Sequence, residues 1–462
     1  MPEMTEPTAW SEELRASHLA VSRQDLEFRE AAKDDPRFLD SKTFEPLLAE
    51  IFEYKLQCWP TFLGAAKRAE LQAASLGVCE VLRKVPERVF GNDAAAIAKF
   101  YKLASPEIAE LYLAEPNGIA AGVARGDYID SVDGFKCLEV NYSPRIGGWE
   151  AAPLVAAHMK IPPTAEFVEA AGIRVAYSNT IRLFFAHIIR ESLAAGLAAD
   201  GVLNVVTVRE VGHVTGTPSF KAHLRQELAA ALAEAGGLEG EFAECYPDEL
   251  VTMEGSLYLG ERRIDAAIEF TEFSRRHVYR AYKANKLMLF NGPIDSILSD
   301  KRNLALLSEG LDKGDFTREE KESIRRYVPW TRLVVPGRAD FYGEEMAMRD
   351  LLLTHREELV LKESQSFGGK GVVIGAFTPE ARWREVVESS LARGDSIVQE
   401  RVESLPYLYQ YGEYGAQPND MIWGPFLFGR TYGGLFLRMQ PQAARNVVNL
   451  TQAASEGTPF EV

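Results

Sequence analysis

Apolar residues along the chain change period twice, and the changes divide it. From about 43 to 110 they recur every three or four positions, as in "FEPLLAEIFEYKL", "AELQAASLGVCEVLRKV" and "DAAAIAKFYKLASPEIAELYL", which predicts helices. Near 119 the period shortens to two: "IAAGVARGDYID" and "FKCLEVNY" predict two strands joined around "SVDG". Helical text resumes over 165–196. "LNVVTVREVG" then reads as a strand, "SFKAHLRQELAAALAEAG" as a helix ended by a Gly-Gly pair, and "SLYLGERRIDAAIEF" as a strand pair around Gly260. Beyond a helical connector near 310–328 comes the second change. "ELVLKESQSFGGKGVVIGAF" predicts strand, Gly-rich loop, strand. A helix ("EARWREVVESSLARG"), a strand ("DSIVQERVES") and two short strands in "GGLFLRMQPQAARNVVNLTQAA" follow. The pattern predicts an α/β (α+β) protein with a helical region over 1–112, a unit over 113–290 and a further lobe over 291–462.

Within the first hairpin, strict alternation places Phe135, Cys137, Glu139 and Asn141 on one strand face, an odd sequence of apolar, apolar, acid and amide. The facing strand carries Arg125 and Asp127. A two-residue Asp133-Gly134 turn would pair Tyr128 with Glu139 and turn Asp127 away. A three-residue loop, Val132-Asp133-Gly134 with Gly134 left-handed, would pair Asp127 with Glu139 and Arg125 with Asn141. In that register two carboxylates and an amide oxygen converge, the hard oxygen ligands that Mg²⁺ prefers, beside an arginine suited to a phosphoryl group. An ordinary surface salt-bridge ladder is the plainer alternative.

The Gly-rich loop offers a second constellation. Lys362 ends an apolar strand, and Gly368, Gly369, Lys370 and Gly371 separate it from the next. Glycines let backbone N–H groups approach phosphate closely, and no helix follows directly, so the loop is neither a Walker loop nor a dinucleotide fingerprint. A lid over nucleotide phosphates fits, as does a plain hairpin with a surface lysine. Downstream, Gln399 and Glu400 follow Ile397-Val398 in a strand that could serve as a hinge reading an adenine edge.

Composition narrows the class. The 462 residues are 46% hydrophobic and 26% charged, as in folded globular proteins, and carry a net charge of −16. That charge disfavours nucleic acid and anionic membrane as partners. No apolar run reaches transmembrane length, and the acidic start is unlike a secretory signal, so a cytoplasmic protein is expected. Cys58, Cys79, Cys137 and Cys245 form no CxxC pair and read as buried thiols. The seven histidines form no HExxH pattern, and His213 and His277 read as surface or core residues.

Taken in order, "RGD…EVN", "GPIDSILSDKRNLALL", "VLKESQSFGGKGV", "VQERVESLP" and "GGLFLRMQ" resemble the motifs of the circularly permuted ATP-grasp ligases of the glutathionylspermidine synthase and trypanothione synthetase type, across roughly residues 115–440. The resemblance implies an ATP-grasp fold with a helical N-terminal extension and a pre-ATP-grasp-like middle domain. It implies that Asp127, Glu139 and Asn141 hold Mg²⁺, with two ions expected. Arg125 would contact the transferring phosphoryl group, and Arg438 would sit near the phosphoryl or acyl-phosphate site. Lys301 and Lys362 would bind ATP phosphates, Gly368, Gly369, Lys370 and Gly371 form the lid, and Gln399, Glu400 and Val402 the adenine hinge. The implied reaction joins a small-molecule or short-peptide carboxylate to an amine through an acyl phosphate. A small-molecule kinase on the same scaffold and an inactive ATP-binding relative are the alternatives. Where the family continues past the metal asparagine with an Ala-Asp-Thr-Pro-Thr-like run, this chain has "NYSPRIGGWE", so substrates other than glutathione and spermidine are expected. "NYSPRIGGWE", 213–221 and 269–276 are the candidate substrate-facing segments, and the N-terminal helices a candidate dimer surface.

Overall fold

The computed structural model describes residues 20–31, 55–114, 122–149, 151–209, 217–269, 276–366, 368–410, 416–450 and 454–462. Strands are numbered in chain order. A seven-stranded sheet runs in the spatial order β1 (Lys55–Leu63), β20 (Ser455–Glu461), β19 (Thr431–Pro441), β18 (Ala416–Phe428), β2 (Val123–Ser131), β3 (Gly134–Asn141), with β17 (Tyr407–Gln410) also on β18. An antiparallel four-stranded sheet has the order β11 (Thr331–Leu333), β16 (Ser396–Glu400), β14 (Leu359–Glu363), β15 (Val372–Ile374). A parallel sheet has the order β10 (Met288–Phe290), β9 (Ala266–Glu269), β4 (Val205–Val208), β5 (Phe242–Cys245). Two small antiparallel sheets, β6 to β8 (Leu250–Met253, Ser256–Leu259, Arg262–Ile264) and β12–β13 (Arg338–Phe341, Glu344–Ala347), complete the set.

The large sheet is two-faced. On β19, Leu435, Leu437 and Met439 join Tyr128, Phe135, Cys137, Val140 and Trp423 in the principal core, which is covered by the helix Ala65–Leu82 through Leu71, Val78 and Leu82. The intervening residues Phe436, Arg438 and Gln440 therefore point to the other side, as period-two alternation requires. Burial of aliphatic and aromatic side chains on the first face drives the sheet together and leaves the second free for chemistry.

The β2–β3 hairpin departs from both turn geometries expected from sequence. Near the turn Ser131 pairs with Gly134, Asp130 with Phe135 and Tyr128 with Cys137; beyond it Asp127 pairs with Glu139 and Arg125 with Asn141. One extra residue, Leu138, takes up the difference as a β-bulge. Gly134 is left-handed as anticipated, with φ of 84°, but the offset that aligns Asp127 with Glu139 lies four residues further on. The bulge also breaks strict alternation. Phe135, Cys137 and Val140 face the core, and Glu139 and Asn141 fall on the opposite face, so the four residues expected to share one face do not.

Three other expectations change. The predicted helical stretch to 110 is interrupted by β1, whose residues Phe62 and Leu63 are held by pairing with the C-terminal strand; tertiary pairing overrides the local period there. "SLYLGERRIDAAIEF" makes three strands rather than two, because Ala266–Glu269 leaves the small sheet to join the parallel one. The tail holds a single strand to Pro441, and the long β18 and the terminal β20 were not anticipated. The segments 1–19 and 32–54 lie outside the described residues, as do 210–216 and 270–275, which include His213, the start of one candidate substrate segment and most of another.

Cys79, Cys137 and Cys245 are buried, as expected; the Cys58 side chain lies outside the description. His277 bonds Thr252 within the fold, consistent with a structural histidine. No helix among the described residues is long and apolar enough to cross a membrane.

On the core side the hairpin is pinned by Asp130, which is fully buried and accepts hydrogen bonds from Lys67 Nζ at 2.7 Å and Tyr407 Oη at 2.7 Å. Removing this carboxylate leaves Lys67 without its nearest counter-charge over Phe135. Asp130→Ala is expected to lower unfolding free energy by about 3 kcal/mol, and Asp130→Asn by less, as read from urea denaturation midpoints.

Candidate functional site

The free face of the large sheet meets the antiparallel sheet across a cleft of about 400 Å³. One wall carries Asp127, Glu139 and Arg438, the facing wall Lys362 and Gly369, and Gln399, Glu400 and Val402 close one side. Between them runs an apolar slot of Ile129, Leu138, Val360, Val372, Ile374 and Ile422.

At the polar end, charged side chains are withdrawn from solvent. Arg125, Lys301, Lys362 and Arg438 are each 6% exposed and Asp127 is 4% exposed. Arg125 Nε donates to Asp127 Oδ1 at 3.2 Å, and Arg438 Nη2 lies 2.7 Å from Asp127 Oδ2. The latter is an ion-pair distance out of line for a hydrogen bond, and Arg438 Nε has no hydrogen-bond partner among the described residues. Burial pushes the Asp127 carboxyl up, but Arg438 and Arg125 outweigh it and hold it at about 2.

Two lysines approach from the other wall. Lys362 Nζ donates to Leu138 O at 3.0 Å and to Gln399 Oε1 at 2.6 Å. The acceptor carbonyl belongs to the bulge residue, so the irregularity that orients Glu139 also anchors this lysine. Burial brings the Lys362 ammonium down to about 8, with Glu139 opposing the shift and Lys301 adding to it. Lys301, just before the helix Arg302–Lys313, sits 3.3 Å from Glu139 Oε2 and donates to Ser366 O in the Gly-rich loop. Among the described residues, four cations thus face two carboxylates, Asp127 and Glu139, around the buried end.

The sequence-predicted residues divide accordingly. Asp127, Glu139, Lys362, Gly369, Gln399, Glu400, Val402 and Arg438 line the cleft. Arg125, Asn141 and Lys301 join through pairing or ion contacts just behind it. Lys370 is exposed outside the lining, and Gly368 also lies at the surface of the turn. Gly371 has φ of 69°, a left-handed conformation that side chains disfavour, which suits a glycine at this turn. The Gln399 side chain accepts from Lys362 and donates to Thr331 Oγ1 at 3.1 Å, which makes it part of the lysine anchor.

The oxygen-rich donor set Asp127, Glu139 and Asn141 suits Mg²⁺ chemically, but its carboxylates are paired with arginine and lysine. Among the described residues no three of His, Cys, Asp and Glu gather as metal ligands. The set fits an ion that arrives with phosphates supplying further oxygens, as Mg²⁺ commonly does, rather than a closed all-protein cage.

Several contributors escaped sequence reasoning. Asp420, bonded by Gln442 Nε2 at 2.9 Å, and the segment 445–449 line the cleft. Phe436 lies under both arginines, 4.9 Å from Arg125 and 5.2 Å from Arg438. Gly424 lets Arg125 cross β18 to reach it: a Cβ at Gly424 would stand 2.9 Å from Phe436 O and 3.1 Å from Arg125 Cδ. A glycine in the middle of "MIWGPFLF" is the one signal that could have pointed there, since a strand glycine marks close approach.

Neither a family model nor a curated protein matches the sequence. Among solved structures, the chain is similar to a glutathione synthetase-like effector from Globodera pallida, with 14% identity, a TM-score of 0.55, and coverage of 99% of this chain and 100% of that one. A protein from Methylobacillus flagellatus described as a gamma-glutamylcysteine synthetase aligns over 84% of this chain and 88% of its own at 11% identity and a TM-score of 0.41. The first likeness is one of fold and extends over nearly the whole chain.

Gly424→Ala is expected to cost about 1–3 kcal/mol through overpacking against Phe436 and Arg125. Chemical denaturation measures it, and a crystal structure of the variant should show Arg125 displaced from Phe436.

Proposed function

We propose that the protein is an ATP- and Mg²⁺-dependent carboxylate–amine ligase with a circularly permuted ATP-grasp fold. The observation that carries this reading is the buried cluster in which Arg125, Arg438, Lys301 and Lys362 exceed Asp127 and Glu139 in charge at the end of an apolar slot. A surplus of desolvated positive charge is costly unless an anion completes it, and a triphosphate placed with its base in the slot does so. The effector's description as glutathione synthetase-like agrees with amide-bond formation.

In the proposed reaction a substrate carboxylate attacks the γ-phosphorus of ATP, giving an acyl phosphate and ADP. An amine then displaces phosphate to form the amide and releases a proton. Lys301, Lys362 and Arg438 hold and neutralise phosphoryl oxygens, the dominant contribution in such transfers. Glu139, Asn141 and Asp127 would hold Mg²⁺, which supplies further neutralisation of the phosphates when bound. Glu400 and Val402 border the base, and the Gly368–Gly371 turn covers the phosphates. The segment after Asn141 borders the acid side, and its sequence favours substrates other than glutathione and spermidine. The partners are a small or short-peptide acid and an amine, in a cytoplasmic setting and without nucleic acid or membrane; a homodimer through the N-terminal helices is compatible.

Glu139→Gln is expected to reduce ATP turnover at least about 10²-fold while leaving the circular-dichroism spectrum and melting cooperativity unchanged. ADP release measured across panels of amino acids, short peptides and polyamines should require both an acid and an amine. Normal Mg²⁺-dependent turnover in the variant sinks the assignment of Glu139.

The low position of Lys362 has a defined pH signature. Its ammonium is lost as pH rises through about 8 in the nucleotide-free protein, so ATP affinity should fall across that range. Because the unfolded lysine still holds its proton there, the same group makes folding stability rise with pH from about 8 towards its ordinary value. Isothermal titration at pH 7 and 9 checks the binding part, and Lys362→Met should flatten the dependence.

A further inference from the structure

Arg125 makes contacts that a phosphate ligand does not need. Its Nε bonds Asp127 Oδ1, and its Nη1 donates to Gly147 O at 2.8 Å, within the segment that follows Asn141. Its guanidinium stacks on Phe436 at 4.9 Å. The crossing is prepared from two sides: Gly424 clears β18, and Gly148, with φ of 99°, lies so close to Phe436 that a Cβ would fall 2.5 Å from the ring. One residue further on, Trp149 is packed among Phe184, Phe426 and Phe428, with centroid distances of 5.1, 5.0 and 6.0 Å. The segment is also held at its start, where Tyr142 N donates to Ser299 Oγ at 2.8 Å, and at its rim, where Arg145 Nη2 meets Asp295 Oδ2 at 2.8 Å.

We propose that Arg125 is a positioning residue that ties the 143–149 segment to Asp127, so that the acid-side loop and the phosphate cluster move as one unit, while Arg438 makes the direct phosphoryl contact. The guanidinium spans carboxylate and carbonyl at once, which a lysine point charge cannot do. Arg438 lines the cleft, whereas Arg125 lies behind it and directs Nε and Nη1 to protein acceptors. The proposal rests on the reading of the cleft above for the meaning of the two sites, although the tie itself is a property of the nucleotide-free protein.

The test labels the protein with 5-fluorotryptophan and follows the Trp149 ¹⁹F resonance, assigned with Trp149→Phe, in wild type, Arg125→Gln and Arg125→Lys without nucleotide. Both variants should shift or broaden that resonance selectively, leaving the buried Trp59, Trp383 and Trp423 unmoved; should the glutamine variant fail to fold, the lysine variant decides. In titrations with MgATP, Arg125→Lys should bind within about threefold of wild type, whereas Arg438→Gln should lose about tenfold or more. An unchanged Trp149 resonance in Arg125→Lys overturns the proposal, and so does a loss of ATP affinity as large as that of the Arg438 variant. Wild-type protein that binds no ATP would overturn the ligase reading, and the resonance comparison would still decide the tie.

Discussion

The single extra residue at Leu138 is the constraint on which the site depends. A β-bulge changes which side of the sheet each later residue occupies and leaves a backbone group outside the ladder. Here Phe135 and Cys137 before it serve the core, and Glu139 and Asn141 after it serve the cleft. The same residue offers its carbonyl to Lys362, which reaches it from another sheet. Charge placement on one wall and the docking of the other wall are therefore set by one local irregularity. Asp130 secures the reverse side of this hairpin through Lys67 and Tyr407, so the bulge rests on a fixed support.

Electrostatics then explains why the cluster is both stable and unfinished. Each carboxylate has a cationic partner, which spares the protein a bare buried charge. The cations nevertheless outnumber their partners, and the Lys362 ammonium is weakened by its surroundings. An arrangement of this kind is tolerable empty and better when an anion enters, which is how pre-organised phosphate sites lower the reorganisation needed during transfer.

The sequence was most legible where chemistry and period coincided. "VLKESQSFGGKGVV" reads as a strand, a glycine turn and a strand because nothing else accommodates those glycines, and β14 and β15 are found there. Arg125, Asp127, Glu139 and Lys362 were recognisable because acids and bases at the ends of apolar strands are unusual. The strand β1 was hidden because its partner lies some four hundred residues away, and no local signal records a distant partner. Leu138 was invisible for a different reason: alternation is the assumption from which strand faces are read, and a bulge is the failure of that assumption. The part Gln399 plays as a lysine anchor was not legible, because side-chain partners across sheets are not written in either strand alone.

β1 enters the large sheet in parallel with β20, with Gln57 Nε2 bonded to Ser455 Oγ and Thr61 bonded to Tyr409 across the join. The sheet that carries Asp127, Glu139 and Arg438 is thus closed by one strand near each end of the described chain. On a ribosome, β1 to β3 emerge while β18 to β20 are still unmade, so the charged face of the hairpin must wait while the chain grows from Asn141 to Ala416 before its counterpart exists. The topology makes this a late-folding sheet, dominated by long loop closures, in which an exposed hairpin edge is shielded only once β18 has been made.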